Sequence, residues 1–239
     1  MIDFGIRKIA PLCEEFGVTI TDEIEKKLNL YGNLLLSWNE KMNLTAIKEP
    51  QEILFKHFYD CILFFKNVDV PQNATVIDVG TGAGFPGMVL KIIRPDLEVT
   101  LLDSLNKRLV FLNAVIEELG LDGIKTVHSR AEDAGKNKLY RENFDIATAR
   151  AVASMPVLME YCLPLVKTGG LLVAMKGPKA EEELAESPNC FKVLGSAQPR
   201  IFTETLTGEE QRVFVVCKKI SQTPSKYPRK PADISKQPL

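Results

Sequence analysis

The sequence predicts an α/β fold: a doubly wound, mostly parallel sheet of seven strands closed by an antiparallel hairpin, preceded by a helical appendage. Three observations predict it. Short β-branched apolar runs alternate with helix-periodic stretches from Thr75 onward. A glycine-rich turn follows the first of those runs, and the last two strands have no helix between them.

Residues 1–72 contain no convincing strand and form the helical region. Asp22, with Glu25 three residues on, resembles a capped helix start. Ile24, Leu28, Tyr31, Leu35 and Trp38 then recur at spacings of four, three, four and three, which is one helical face. Asn43-Leu44-Thr45 interrupts that helix, and Pro50 suits the first turn of another, EPQEILFKHFYDCILFF. His57 and Asp60 stand three apart on it. They read as a pair on the helix surface, with a lining of the substrate entrance as the alternative.

Residues 73–220 form the core. Strand 75–80 leads to a helix at 86–94, strand 98–103 to a helix at 105–119, and strand 124–128 to a polar loop. Strand 144–149 leads to a helix from Ser154, and strand 171–176 follows Gly169-Gly170. Right-handed crossovers make these strands parallel. Stretches 191–202 and 211–219 are the terminal hairpin.

Residues 221–239 carry four prolines, four cations and one acid, with few apolar groups. They are expected to be extended and flexible, lying away from the strand ends. The chain has a net charge of −1, but the stretch from Lys218 onward carries +5, leaving −6 for the rest. An acidic body with a basic tail points to a polyanionic partner, with Lys226, Tyr227, Arg229 and Lys230 as the expected RNA contacts. The five cysteines show no C-x-x-C spacing, which argues against zinc and disulfides and suits a reducing cytoplasm. No apolar run is long enough for a bilayer, so no membrane partner is expected.

The chemistry is expected at the carboxyl ends of the strands. TVIDVGTGAGFPG places Asp78 two residues before Gly80, with Gly82 and Gly84 at alternate positions and Phe85 next. Gly82, Gly84 and Gly87 also satisfy the dinucleotide pattern G-x-G-x-x-G, but the glycine that ends the strand is Gly80. D-x-G-x-G-x-G resembles the first motif of class I S-adenosylmethionine (SAM) methyltransferases. Asp103, at the end of the second strand, suits a ribose diol, because a carboxylate accepts two hydrogen bonds. Ala131 and Glu132 follow the third strand, beside an adenine edge.

After the fourth strand comes TARAV, without the Asn/Asp-Pro-Pro-Tyr clamp of exocyclic-amine methylation and without the nearby cysteine needed for attack on pyrimidine C5. A reaction needing neither proton removal nor covalent attack fits, and guanine N7 offers a free in-plane lone pair. Arg150 is placed to hold a base edge, a phosphate or the cofactor, or to form a structural salt bridge. No residue is singled out as a catalytic acid, base or nucleophile.

WNEKMNLTAI, KHFYDC, DVGTGAGFPG, LLDSLNKR, RAED, TARAV and KYPRKP together resemble the RsmG (GidB) family of bacterial 16S rRNA guanine-N7 methyltransferases. The resemblance runs over nearly the whole chain. It implies a class I SAM-dependent methyltransferase fold and cofactor contacts at Gly80, Phe85, Ala131, Glu132 and Arg150. It also implies an enzyme acting on 16S rRNA, in the small ribosomal subunit or an assembly intermediate of it, and a cytoplasmic monomer is expected. A small-molecule SAM methyltransferase and an NAD(P) oxidoreductase are the competing readings.

Overall fold

The computed structural model describes residues 1–186, 188–208 and 210–239. Its strands are β1 (Thr75–Val79), β2 (Glu98–Asp103), β3 (Ile124–His128), β4 (Phe144–Arg150), β5 (Val166–Lys176), β6 (Arg200–Thr207) and β7 (Glu210–Lys218). They form one sheet in the order β3-β2-β1-β4-β5-β7-β6. The first five run parallel, while β7 inserts antiparallel between β5 and β6. The order reverses between β1 and β4, and the crevice that opens there is where such folds bind ligands.

Strand alternation builds two cores. Val76, Ile146, Val173 and Phe214 point to one face, where they join Phe4, Leu28, Tyr31, Leu35, Ile53 and Phe58 of the N-terminal region in one continuous cluster. Ile77, Ala147, Leu172 and Val215 point to the other face, packed by Met155, Leu158 and Cys162. The helical region and the sheet therefore share a core.

Several local expectations are corrected. The long N-terminal helix, Asp22–Met42, is capped by Thr21, whose hydroxyl accepts from the Ile24 N–H at 3.2 Å. Stretch 190–193 is a helical turn, and the strand begins only at Arg200. Cys190 and Leu194 are four apart, and helical spacing buries both in the second core. β5 starts earlier than its apolar run because Val166 pairs with Phe144. Gly170 is needed inside it: a Cβ there would lie 2.5 Å from the Asp145 carbonyl oxygen. The helix from Pro50 carries an i→i+5 segment, Leu54–Tyr59, which shifts the facing of the residues after it.

Tyr31 joins the two parts of the molecule. It is fully buried, and its hydroxyl donates to the Ala83 carbonyl inside the glycine turn. Asn39 holds the next bend: its side-chain oxygen accepts from Leu44 N and Thr45 N, and its amide donates to Thr45 O. Replacing Tyr31 by Phe leaves the Ala83 carbonyl buried without its donor. The expected loss is about 1–3 kcal/mol, read as a lower urea midpoint at unchanged m-value.

Candidate functional site

The turn after β1 is held from both sides by carboxylates. Asp78 is fully buried, and its Oδ2 accepts from the Thr81 hydroxyl at 2.6 Å and from Gly87 N at 2.9 Å. Burial pushes its pKa up to about 6 against the opposing pull of those two bonds. From the β2 end, Asp103 Oδ2 accepts from Gly82 N at 2.9 Å. Gly80 and Gly82 both have φ near the left-handed region, at 68° and 60°. A Cβ on Gly80 would meet Val152 at 2.8 Å, whereas one on Gly82 would have no neighbour closer than 3.9 Å. The turn therefore presents bare backbone to open space at Gly82.

Beside it lies a cleft of about 310 Å³, bounded by Gly80, Asp103, Ser129, Arg130, Ala131, Glu132, Val152 and Tyr161 among others. Asp103 is 2% exposed. Besides Gly82, it accepts from Leu105 N at 2.8 Å and from Arg108 at 3.2 Å. A carboxylate has about four acceptor positions, so a diol taking two bonds displaces one of these donors. Arg108, whose bond is the longest of the three, is the one to yield.

Behind the turn sits a buried charged cluster. Phe85 stacks on His57, with ring centroids 4.4 Å apart, and the Arg150 guanidinium lies 4.8 Å from the Phe85 ring centre. Arg150 donates to Asp60 Oδ2 at 2.8 Å and to Lys56 O at 3.0 Å. Arg212 of β7 meets the same carboxylate twice, at 2.6 and 2.9 Å. Asp60 is fully buried and is not paired with His57, so the expected surface pair is corrected. The i→i+5 turn carries both side chains inward. His57 Nδ1 lies 3.0 Å from Lys56 O and 3.3 Å from the Arg150 guanidinium, and Nε2 lies 3.0 Å from the Thr45 hydroxyl. Burial, then Arg150, drives the His57 pKa down to about 3.

On the far side of Ala151, a second hollow of about 350 Å³ is lined by Met175, Lys176, Gly177, Lys179, Glu183 and Arg212 among others. Lys176 pairs with Glu183 and donates to Ala153 O, both at 2.7 Å. Two hollows thus flank one loop at the open end of the sheet. Asp78 Oδ1 and Thr148 Oγ1, on in-register residues of β1 and β4, are buried there without a partner among the described residues.

The family profile described as rRNA small subunit methyltransferase G matches residues 24–213. The chain belongs to that family. It is 50% identical over 228 residues to the ribosomal RNA small subunit methyltransferase G of Clostridium perfringens (strain 13 / Type A), covering 95% of each chain. It is 51% identical over 223 residues to that of Lactobacillus helveticus, covering 92% of this chain and 93% of the relative. Among solved structures it resembles a SAM-dependent O-methyltransferase from Thermotoga maritima, with TM-score 0.55 and 14% identity over 80% of this chain and 73% of the other. It also resembles a SAM-dependent methyltransferase from Aquifex aeolicus, with TM-score 0.54 and 19% identity over 73% of this chain and 96% of the other. The fold is that of class I SAM-dependent methyltransferases, and this family member is an rRNA methyltransferase.

Gly80, Asp103, Ala131 and Glu132 meet at the first cleft, with Gly82 tied to it through Asp103. Asp78, Gly84, Phe85 and Arg150 stand behind the turn instead. The tail is corrected more strongly. Tyr227 is buried, and Arg229 is bonded to the fully buried Glu160 through its main-chain N and its guanidinium, so both are packed on the body where a flexible arm was expected. Lys226 and Lys230 are exposed. Pro231 and Ser235 line the first cleft, so the tail does not lie away from the strand ends. No helix is long and apolar enough to cross a membrane among the described residues, and none of their acidic, His and Cys side chains cluster as metal ligands.

The depressed His57 pKa gives a signed expectation. An unfolded His with pKa 6.5 takes up a proton well before the folded one at about 3, so falling pH weakens the fold from 6.5 downward. By pH 5 the loss is about 2 kcal/mol. Asp78 acts oppositely: its raised pKa makes rising pH weaken the fold between about 4 and 6. Comparing wild type with His57→Gln cancels the Asp78 contribution. In urea melts the wild type's lead over the variant should shrink by about 2 kcal/mol between pH 7.5 and pH 5. A constant gap would mean that His57 is not held neutral.

Proposed function

We propose that this chain transfers the methyl group of SAM to N7 of a guanine in 16S rRNA. The observation that carries the reading is the pair of hollows flanking the loop after β4, one edged with carboxylates and open backbone, the other with cations. The residues present fit the cofactor: open backbone at Gly82, Asp103 for the ribose, and Ala131 and Glu132 for the adenine edge. Asp78, Gly84, Phe85 and Arg150 support that site from behind. The cofactor supplies an electrophilic methyl on a sulfonium.

The residues around the second hollow suit an acceptor that needs positioning alone. Guanine N7 attacks with its own lone pair, so no side chain has to remove a proton. The only buried imidazole nearby, His57, has both ring nitrogens occupied. All five cysteines are buried, and burial raises their pKa, for Cys217 to about 12, so none is a ready nucleophile. Arg212, Lys176 and Lys179 supply the positive field for flanking phosphates, with exposed Lys226 and Lys230 further along the surface. The reading takes the substrate to be rRNA within the small subunit or an assembly intermediate of it, met by a monomer in the cytoplasm.

Single-turnover methylation of a guanine-containing target should be nearly flat from pH 6 to pH 9, and 7-deazaguanine at the target should abolish transfer while leaving RNA affinity intact. A rate that climbs tenfold per pH unit would instead require a general base.

A further inference from the structure

The basic C-terminal segment is where composition and structure disagree most. It holds four prolines and four cations, yet it is fixed to the body by a small set of buried contacts. Glu160, fully buried on the helix Met155–Cys162, accepts from Arg229 N at 2.7 Å and from its guanidinium at 2.6 to 3.1 Å. Arg141 donates to the carbonyls of Thr223 and Tyr227 at 2.6 and 2.8 Å. Tyr227 and Ile234 are buried. Pro228 packs against Gly135, where an added Cβ would meet its ring at 3.0 Å.

Two of these anchors adjoin a wall of the first cleft. Gly135 follows the turn Ala131–Ala134, which carries Ala131 and Glu132, and Glu160 precedes Tyr161. From there the helix Pro231–Lys236 sets Pro231 and Ser235 on the same cleft as Gly80 and Asp103. This segment lies beyond residues 24–213 that carry the family profile.

We propose that residues 221–236 form a wall of the cofactor cleft, so that SAM affinity depends on this strap being docked. This rests on placing the cofactor between Gly80 and Glu132. A strap held by a few anchors, with one short helix of its own, opens and closes at modest cost. A ligand that touches only the docked form favours it in proportion to its affinity. Its exposed cations, Lys226, Lys230 and Lys236, ride on that docked form, so the same strap presents them to RNA beside a filled cleft.

The test uses the full chain, titrated with SAM by calorimetry, with two substitutions of exposed residues, one in the strap and one just after it. Ser235→Trp places a large side chain in the cleft, whereas Gln237→Trp places it outside the cleft lining. The expected result is at least tenfold weaker SAM binding for Ser235→Trp, with the SAM-free melting temperature unchanged and Gln237→Trp indistinguishable from wild type. A second measurement needs no variant: SAM should slow tryptic cleavage after Lys226 and Lys236. Equal SAM affinity in Ser235→Trp and wild type, or tryptic rates unaffected by saturating SAM, would overturn the inference while leaving the cofactor assignment standing. A wild type that shows no SAM binding would overturn the cofactor placement itself.

Discussion

The site depends on a backbone turn that must be pinned. Left-handed glycines give the chain after β1 its close approach, but glycine also has the most freedom to lose on ordering. Three groups fix it: Asp78 from within β1, Asp103 from the end of β2, and the Tyr31 hydroxyl from the N-terminal region. Asp78 is held at a cost, since burial opposes its ionisation, and its two accepted bonds offset only part of that. The turn is thus rigid because neighbouring elements hold it.

A second buried carboxylate does comparable work further along the strand ends. Asp60 draws Arg150 of β4 and Arg212 of β7 onto one point beneath the N-terminal helices. Two guanidiniums on one carboxylate leave an excess of positive charge, and His57 stays neutral beside them. Removing the carboxylate would strand two cations in a place with little water, which is far more destabilising than losing a surface pair. The excess charge is also oriented: Arg212 reaches the hollow beyond Ala151, where a polyanion is the natural counterpart.

Much of this was legible in the sequence, for local reasons. Strand and helix periods, the glycine spacing and the acid at the end of β2 are all encoded within a few residues, and they located Gly80, Asp103, Ala131 and Glu132. The partners that complete the site are not local. Asp60 and Arg212 are 152 residues apart, and nothing in QRVFVV marks an arginine that turns inward. The i→i+5 turn at Leu54–Tyr59 changes which face His57 and Asp60 present, and helical spacing assumes that it does not happen. The tail failed as a compositional argument. Prolines and lysines set its average character, whereas single anchors, Tyr227, Arg229 and Ile234, set its position.

The placement of β7 bears on how the molecule comes together. Because β7 sits between β5 and β6, β5 remains an edge strand until a segment some forty residues downstream returns to cover it. Its Leu171–Lys176 stretch is mostly apolar, and an uncovered apolar edge pairs readily with another chain. The same late insertion delivers Arg212 to Asp60. Closing the vulnerable edge and bringing the second guanidinium to the buried carboxylate are therefore one event in assembly, so a chain that has completed its sheet has also completed the charged cluster beneath its strand ends.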